Sequence, residues 1–337
     1  MAQAVRQPTR PPGDDLTKRG GGVVSDRVFW LLTLGAGLLI LAILALILYT
    51  TLRGAWPVFG AEGLNFFTSS RWVPNDPDGT GPRTEEFGAL AYIYGTVIVS
   101  IIAMLIAVPL SVGIALFLTE LAPPRVRAVA VTVLDLLAAI PSVVFGLWGI
   151  LVLAQAILPA YRFAHNTVGR VPVLGALFGE PRNSGLTFMT AGIIVACMIT
   201  PIVTSITREV FATVPTADKQ AALALGATRW EMIRGAVFPH SFGGVVGAVM
   251  LGLGRALGET IAISLVIGSS VQIVPNLFES GHALPAVIVQ QWNESSGTYQ
   301  AALLACGVLL FVVTVLINYA AQVIVRRAER RMRGATA

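Results

Sequence analysis

Runs of about twenty or more apolar residues constrain this chain more than any other feature, because that length of helix crosses the hydrocarbon core of a bilayer. Residues 28–50 carry no charged side chain, and comparable runs lie near 90–118, 128–157, 186–211, 241–270 and 299–324. The expected fold class is therefore all-α, a polytopic membrane protein with six transmembrane helices. Composition agrees. Of 337 residues, 55% are apolar and only 12% charged, with a mean hydropathy of +0.76. A soluble domain carries about a quarter charged residues, so half the usual solubilising charge is missing.

The first run exceeds the apolar core of a cleavable signal and lacks a small-residue cleavage site before Arg53, so it reads as a retained span. Residues 1–27, rich in Pro, Gly and charge, read as an unstructured tail. Segments 51–89 and 158–185 carry the Pro, Gly and Asn of loops. Pro109 and Pro141 fall inside the second and third runs and are expected to kink or tilt them. Cys197 and Cys306 lie in apolar runs and read as packing residues.

Basic residues set the orientation. Arg6, Arg10, Lys18, Arg19 and Arg27 crowd the N-terminal end; Arg326, Arg327, Arg330, Arg331 and Arg333 form a basic tail over 326–337. With six spans, the positive-inside rule puts both ends in the cytoplasm and makes 51–89, with Glu62, Asp76, Asp78, Glu85 and Glu86, an outer loop. The net charge of +5 thus reads as topology and implies no nucleic-acid partner.

The inner segment 212–240 is unlike an ordinary connector. Pro215 opens a turn, Thr216 can cap a short helix, and Ala217–Leu225 favours helix until Gly226 ends it. A second short helix, from Thr228 to Ala236, leads to Pro239 and the fifth run. Ala221-Ala222, then Gly226, then Pro239 resembles the Glu-Ala-Ala loop of permease subunits of binding-protein-dependent ABC importers, with Gln220 in place of the Glu. The resemblance implies the type I importer permease fold over 90–325. It also implies that Gln220, Ala221, Ala222, Gly226 and Pro239 form the coupling segment against a separate ATPase.

A narrower resemblance covers residues 70–270. Leu137-Ala138-Ala139-Ile140-Pro141-Ser142 with Phe145-Gly146-Leu147-Trp148-Gly149 is similar to the third-span signature of phosphate-transport permeases of the PstC type. Gly254-Arg255-Ala256-Leu257-Gly258-Glu259-Thr260 is similar to their fifth-span signature, and Trp72-Val73-Pro74, Phe87-Gly88 and Tyr94-Gly95-Thr96 fit the same pattern. The PstA-type partner permease shares the arginine motif. The resemblance implies four kinds of partner in a bacterial inner membrane: a PstA-type permease, two PstB-type ATPases, a PstS-type phosphate-binding protein and membrane lipid.

Asp135, Arg255 and Glu259 are ionisable residues inside apolar runs, which usually face protein or a water-filled cavity. Four residues apart on one helix, Arg255 and Glu259 would be within reach of each other. Two readings stand: Arg255 faces the path of a phosphate dianion with Glu259 tuning it, or the two form a packing or gating ion pair. Asp135 reads as an interhelical hydrogen-bond acceptor or a partner of Arg255. Gly252, Gly254 and Gly258 thin the same helix for close approach of another backbone.

The acidic pairs of 51–89 lack metal-site spacing, and His165, His240 and His282 form no cluster in sequence. Ser142 and Ser241 have no companion His and Asp arrangement, so no catalytic residue is assigned. Lys18 and Lys219, the two lysines, lie in no phosphate-cradling loop; ATP and Mg²⁺ are expected on the partner ATPase, with no cofactor on this chain. The competing possibility is an autonomous carrier driven by an ion gradient, for which inverted repeats would be the signature.

Overall fold

The computed structural model describes residues 22–74, 85–171 and 174–334. Most of the expected tail (1–21) and the loop residues 75–84, including Asp76 and Asp78, lie outside the described residues. The chain divides after Thr50 into two units, Met1–Thr50 and Thr51–Ala337.

Helix α1 (Gly22–Glu62) begins in the first unit and ends in the second. Between Val28 and Tyr49 its large apolar side chains are exposed all round, the composition of a lipid-facing span. It runs twelve residues into the segment expected to be loop, since nothing between Thr51 and Glu62 stops a helix: Pro57 is carried inside and Gly63 (φ +56°) ends it. A short α2 (Asn65–Thr68) and an antiparallel pair follow, β1 (Trp72–Val73) with β2 (Glu86–Phe87), in the register Trp72 opposite Phe87. Arg71 and Glu86 pair at 3.2 Å beside this hairpin.

The long helix α3 (Leu90–Leu116) continues as a π-helical turn, Phe117–Leu121, and passes through Pro109 unbroken. Pro141 behaves differently. It separates α4 (Pro124–Ala139) from α5 (Ser142–Trp148), and the axis bends by 91° there. Ile140 takes an extended conformation (φ −66°, ψ 127°), as a residue before proline prefers. The third run is thus a sharply bent pair of helices and not one kinked helix. A π turn (Gly149–Leu153) and α6 (Ala154–Ala156) complete it, and the segment 158–185, expected to be loop, contains α7 (Leu158–Thr167) and α8 (Leu174–Leu177).

Helix α9 (Phe188–Ala212) is started by Thr187, whose side chain accepts the Thr190 N–H at 3.2 Å. The segment 212–240 folds as α10 (Thr216–Ala224), α11 (Arg229–Met232) and a π turn (Ile233–Val237) leading into α12 (Phe238–Gly258). The fifth run then breaks: α13 (Ile261–Val266) is a separate short helix, followed by an irregular stretch, α14 (Leu284–Gln291) and α15 (Gly297–Gly334). Among the described residues, five helices are long and apolar enough to cross a membrane, or six if the bent pair α4–α5 is one span.

Small residues let α3 and α9 pack closely: a Cβ on Gly192 would lie 2.3 Å from Ile102 Cγ2. Around that contact, Val99, Ala103, Ile194, Ile199, Ala262 and Val266 build the central core. A second cluster at the start of α3 joins Phe66, Phe87, Tyr92, Tyr299 and Cys306, with Trp72 against it. Cys306 packs there as expected, whereas Cys197 lies exposed on α9; both are free thiols. A third cluster, Ala115, Phe211, Val214, Met232, Ile233 and Val237, lies at the other end of α3.

Candidate functional site: the coupling segment and the broken fifth span

The local sequence of 212–240 dictates its shape. Pro215 (φ −55°, ψ 130°) takes the cap position of α10, so Thr216, the expected cap, is instead the first helical residue. Gly226 (φ +88°) ends the helix in the left-handed region that favours glycine. Its N–H donates to the Leu223 carbonyl (3.0 Å) and that of Ala227 to the Ala222 carbonyl (3.1 Å), which satisfies two end carbonyls. Thr228 then starts α11 with a reciprocal cap: its side chain accepts the Glu231 N–H (3.3 Å) while Glu231 accepts the Thr228 N–H (2.7 Å).

No residue of α10 is buried. Gln220 and Ala221 are exposed, and Ala222 packs partly against the third cluster. Leu225 is 90% exposed and Trp230 is 62% exposed, an apolar surface that a soluble protein would rarely display. Pro239 follows the π turn directly, inside the continuous helical stretch Arg229–Gly258, where a residue without an N–H leaves one intrahelical hydrogen bond unmade.

Sequence reasoning missed one contact on the hidden side of α10. Lys219 donates through Nζ to Glu120 Oε1 at 2.5 Å, with the two side chains 16% and 9% exposed. The pair spans 99 positions, and nothing local announces it.

Arg255 and Glu259 do not share a helix. Helix α12 stops at Gly258, and Glu259 is extended (φ −68°, ψ 126°). Two neighbours satisfy the broken ends: Thr260 Oγ1 donates to the Gly258 carbonyl (3.1 Å), and Glu259 Oε1 accepts the Ala262 N–H (3.3 Å), starting α13. Glu259 is buried and holds the break, whereas Arg255 is exposed on α12. Among the described residues Arg255 makes no ion pair or hydrogen bond, and the expected i, i+4 pair is absent. Asp135 is likewise exposed on α4 with no such partner, so the structure does not bring it to Arg255.

Of the three glycines expected to admit another backbone, only Gly252 is used within this chain. A Cβ there would lie 2.6 Å from Val203 Cγ2, while Gly254 and Gly258 meet nothing within 4 Å.

The third-span signature packs against the helix that follows the fifth-span signature. A Cβ on Gly146 would fall 2.7 Å from Leu265 Cδ1 and 3.0 Å from Ala262 Cα; one on Gly149 would fall 2.7 Å from Val266 Cγ1. The glycines of 145–149 therefore let α5 lie against α13, the element that follows Arg255 and Glu259. Beside α13, Gln290 Nε2 donates to the Ser264 carbonyl (2.7 Å) and to Ser269 Oγ (3.0 Å), bracing a turn in which Ser269 has φ +54°.

Comparison with known proteins places this geometry. Residues 107–334 match the family described as "Binding-protein-dependent transport system inner membrane component". Curated relatives named "Phosphate transport system permease protein PstC" include one from Xylella fastidiosa, 38% identical over 97% of both chains. Another, from Mesorhizobium japonicum, is 41% identical over 91% of this chain and 92% of its own. A relative named PstC 2 from Mycobacterium tuberculosis is 41% identical over 89% and 91% respectively. Among solved structures, one chain of a bacterial alginate ABC transporter in complex with an alginate pentasaccharide-bound periplasmic protein shares the fold, with a TM-score of 0.56 and 19% identity over 92% of this chain and 99% of that one.

Proposed function

This chain belongs to the inner-membrane components of binding-protein-dependent transport systems, and from that premise we propose that it forms half of the path by which inorganic phosphate crosses the cytoplasmic membrane. It is a non-catalytic, multi-pass membrane subunit; ATP hydrolysis occurs on a separate chain. The proposed assembly adds a PstA-type permease, two PstB-type ATPases holding ATP and Mg²⁺, and a PstS-type phosphate-binding protein that delivers the anion. No cofactor is assigned to this chain. Both termini face the cytoplasm.

The relatives carrying the phosphate name span nearly the whole chain, and that supports the choice of anion. The structural observation that carries the mechanism is the exposed α10–α11 pair, joined by the Gly226 stop and the Thr228–Glu231 cap and showing Leu225 and Trp230 to the outside. Gln220, Ala221, Ala222 and Gly226 form the ATPase contact, with Pro239 setting the start of α12. Because α12 carries Arg255, displacement of the α10–α11 pair reaches the anion's proposed binding group along one continuous stretch of chain. An unpaired guanidinium offers a fork of donors to phosphate oxygens, and its exposure permits release as well as capture. Asp135 lies on the pathway side in the same proposal.

The test is assembly of the complete transporter in proteoliposomes with a phosphate-loaded binding protein. Gly226→Asp, which places a side chain at a left-handed position of the contact surface, is expected to abolish ATPase association and phosphate uptake together. Association and uptake at wild-type levels would overturn the reading.

A further inference from the structure

We propose that the Lys219–Glu120 ion pair is a positioning contact that carries movement of α10 into α3, so that the yield of transport per ATP depends on it while attachment of the ATPase does not. The inference rests on the reading of α10 as the ATPase contact.

The argument starts from how α10 is held. Covalently it connects only to its chain neighbours, α9 on one side and α11–α12 on the other. Its apolar anchorage is slight, since only Ala222 reaches the third cluster. Lys219 and Ala222 are three residues apart and share the half-buried face, whereas Gln220 and Ala221 are exposed. Gln220 and Ala221 thus present the exposed face to the ATPase while Lys219 faces α3, with Ala222 at the edge between the two, and a substitution at Lys219 leaves the exposed part of the contact surface unaltered.

The partner residue is placed at a joint. Glu120 belongs to the π turn at the end of α3, after which the chain turns through Ala122 and Pro123 into α4. Arg127 of α4 donates through Nη2 to the Thr119 carbonyl of that turn at 2.7 Å. A load on Lys219 thus reaches both α3, half of the closely packed α3–α9 core, and the first turns of α4, which leads to the Pro141 break. The route is separate from the covalent one through Gly226 to α12.

Energetics favour a positioning role over simple adhesion. A largely buried ion pair gains little net stability, because desolvation offsets the attraction, but loss of either partner strands a charge. The ammonium donates directly to the carboxylate. It fixes one geometry of α10 against α3 more than it strengthens the fold.

The experiment uses the complete transporter in proteoliposomes and reads three quantities: ATPase copurification, ATP hydrolysis, and phosphate taken up per ATP hydrolysed. Lys219→Met and Glu120→Gln are each expected to lower uptake per ATP by about tenfold, within the range of coupling between distant sites, with copurification unchanged. Lys219→Arg keeps the charge and is expected to retain most of the coupling. The exchanged pair, Lys219→Glu with Glu120→Lys, is expected to recover much of what the single substitutions lose. Unchanged uptake per ATP in both single variants overturns the proposal, as does a loss that neither Lys219→Arg avoids nor the exchange repairs. Loss of ATPase copurification in the single variants also overturns it, since the pair would then shape the contact surface. Failure of the underlying reading is seen separately, as Gly226→Asp leaving the ATPase attached.

Discussion

At the scale of residues, Arg255 and His282 make opposite use of isolation. Arg255 is exposed with no partner among the described residues, so its substitution removes charge without stranding a buried ion. Arg255→Gln is expected to assemble normally and to lose most phosphate uptake, by about tenfold or more, which radiotracer uptake against copurification would check. Undiminished uptake would remove it from the path. His282, between α13 and α14, is buried beside the Tyr92 ring, with ring centroids 5.0 Å apart. The Ala283 N–H donates to its Nδ1 at 3.0 Å, and among the described residues its Nε2 has no hydrogen-bond partner. Burial pushes the imidazole down from 6.5 to about 4. The folded state therefore disfavours the proton that the unfolded chain takes up, and stability is full above pH 6.5, falls below it and levels off under about pH 4. The depression corresponds to about 3 kcal/mol. Thermal unfolding in detergent is expected to show a shallower acid loss for His282→Gln than for the wild-type chain; parallel curves would assign the loss to other groups.

Among elements, the coupling segment was the most legible in sequence, and the fifth span the least. Pro215, Gly226 and the Thr228–Glu231 spacing are local signals, each acting within a turn, so they fix α10 and α11 without help from the rest of the molecule. The α12–α13 break was hidden because an apolar run continues across it, and the four-residue spacing of Arg255 and Glu259 reads as one face only if the helix is unbroken. Gly258 and Thr260 carried the signal: a helix terminator followed by a hydroxyl able to satisfy the freed carbonyl. Lys219 and Glu120 could not be paired from spacing at all, since a tertiary contact brings them together. The signature glycines gain a physical reason from the close approach of α5 to α13. Gly146→Val would drive a side chain into Ala262 and Leu265, and overpacking of this kind costs about 1–3 kcal/mol. A lower unfolding midpoint and reduced uptake are expected, whereas Gly254→Ala, at an open position, is expected to leave the midpoint unchanged.

For the whole molecule, an even number of crossings requires the bent α4–α5 pair to act as one span. Single cysteines near each terminus, in a background lacking Cys197 and Cys306, are then expected to react with a membrane-impermeant maleimide only after the cells are opened. Labelling of one end in intact cells would make the number of crossings odd. The bend itself has a further consequence. Where α4 stops at Ala139, the Leu137 carbonyl accepts the Ile140 N–H at 3.3 Å while the last carbonyls beyond it have no intrahelical donor, and no residue of α4 is buried within this chain. In hydrocarbon each unsatisfied carbonyl costs several kcal/mol, so a lipid tail cannot be the neighbour of this break. Water or another polypeptide must solvate it, which makes the α4–α5 corner a hydrated or subunit-facing surface and a place where the membrane's dielectric is locally interrupted.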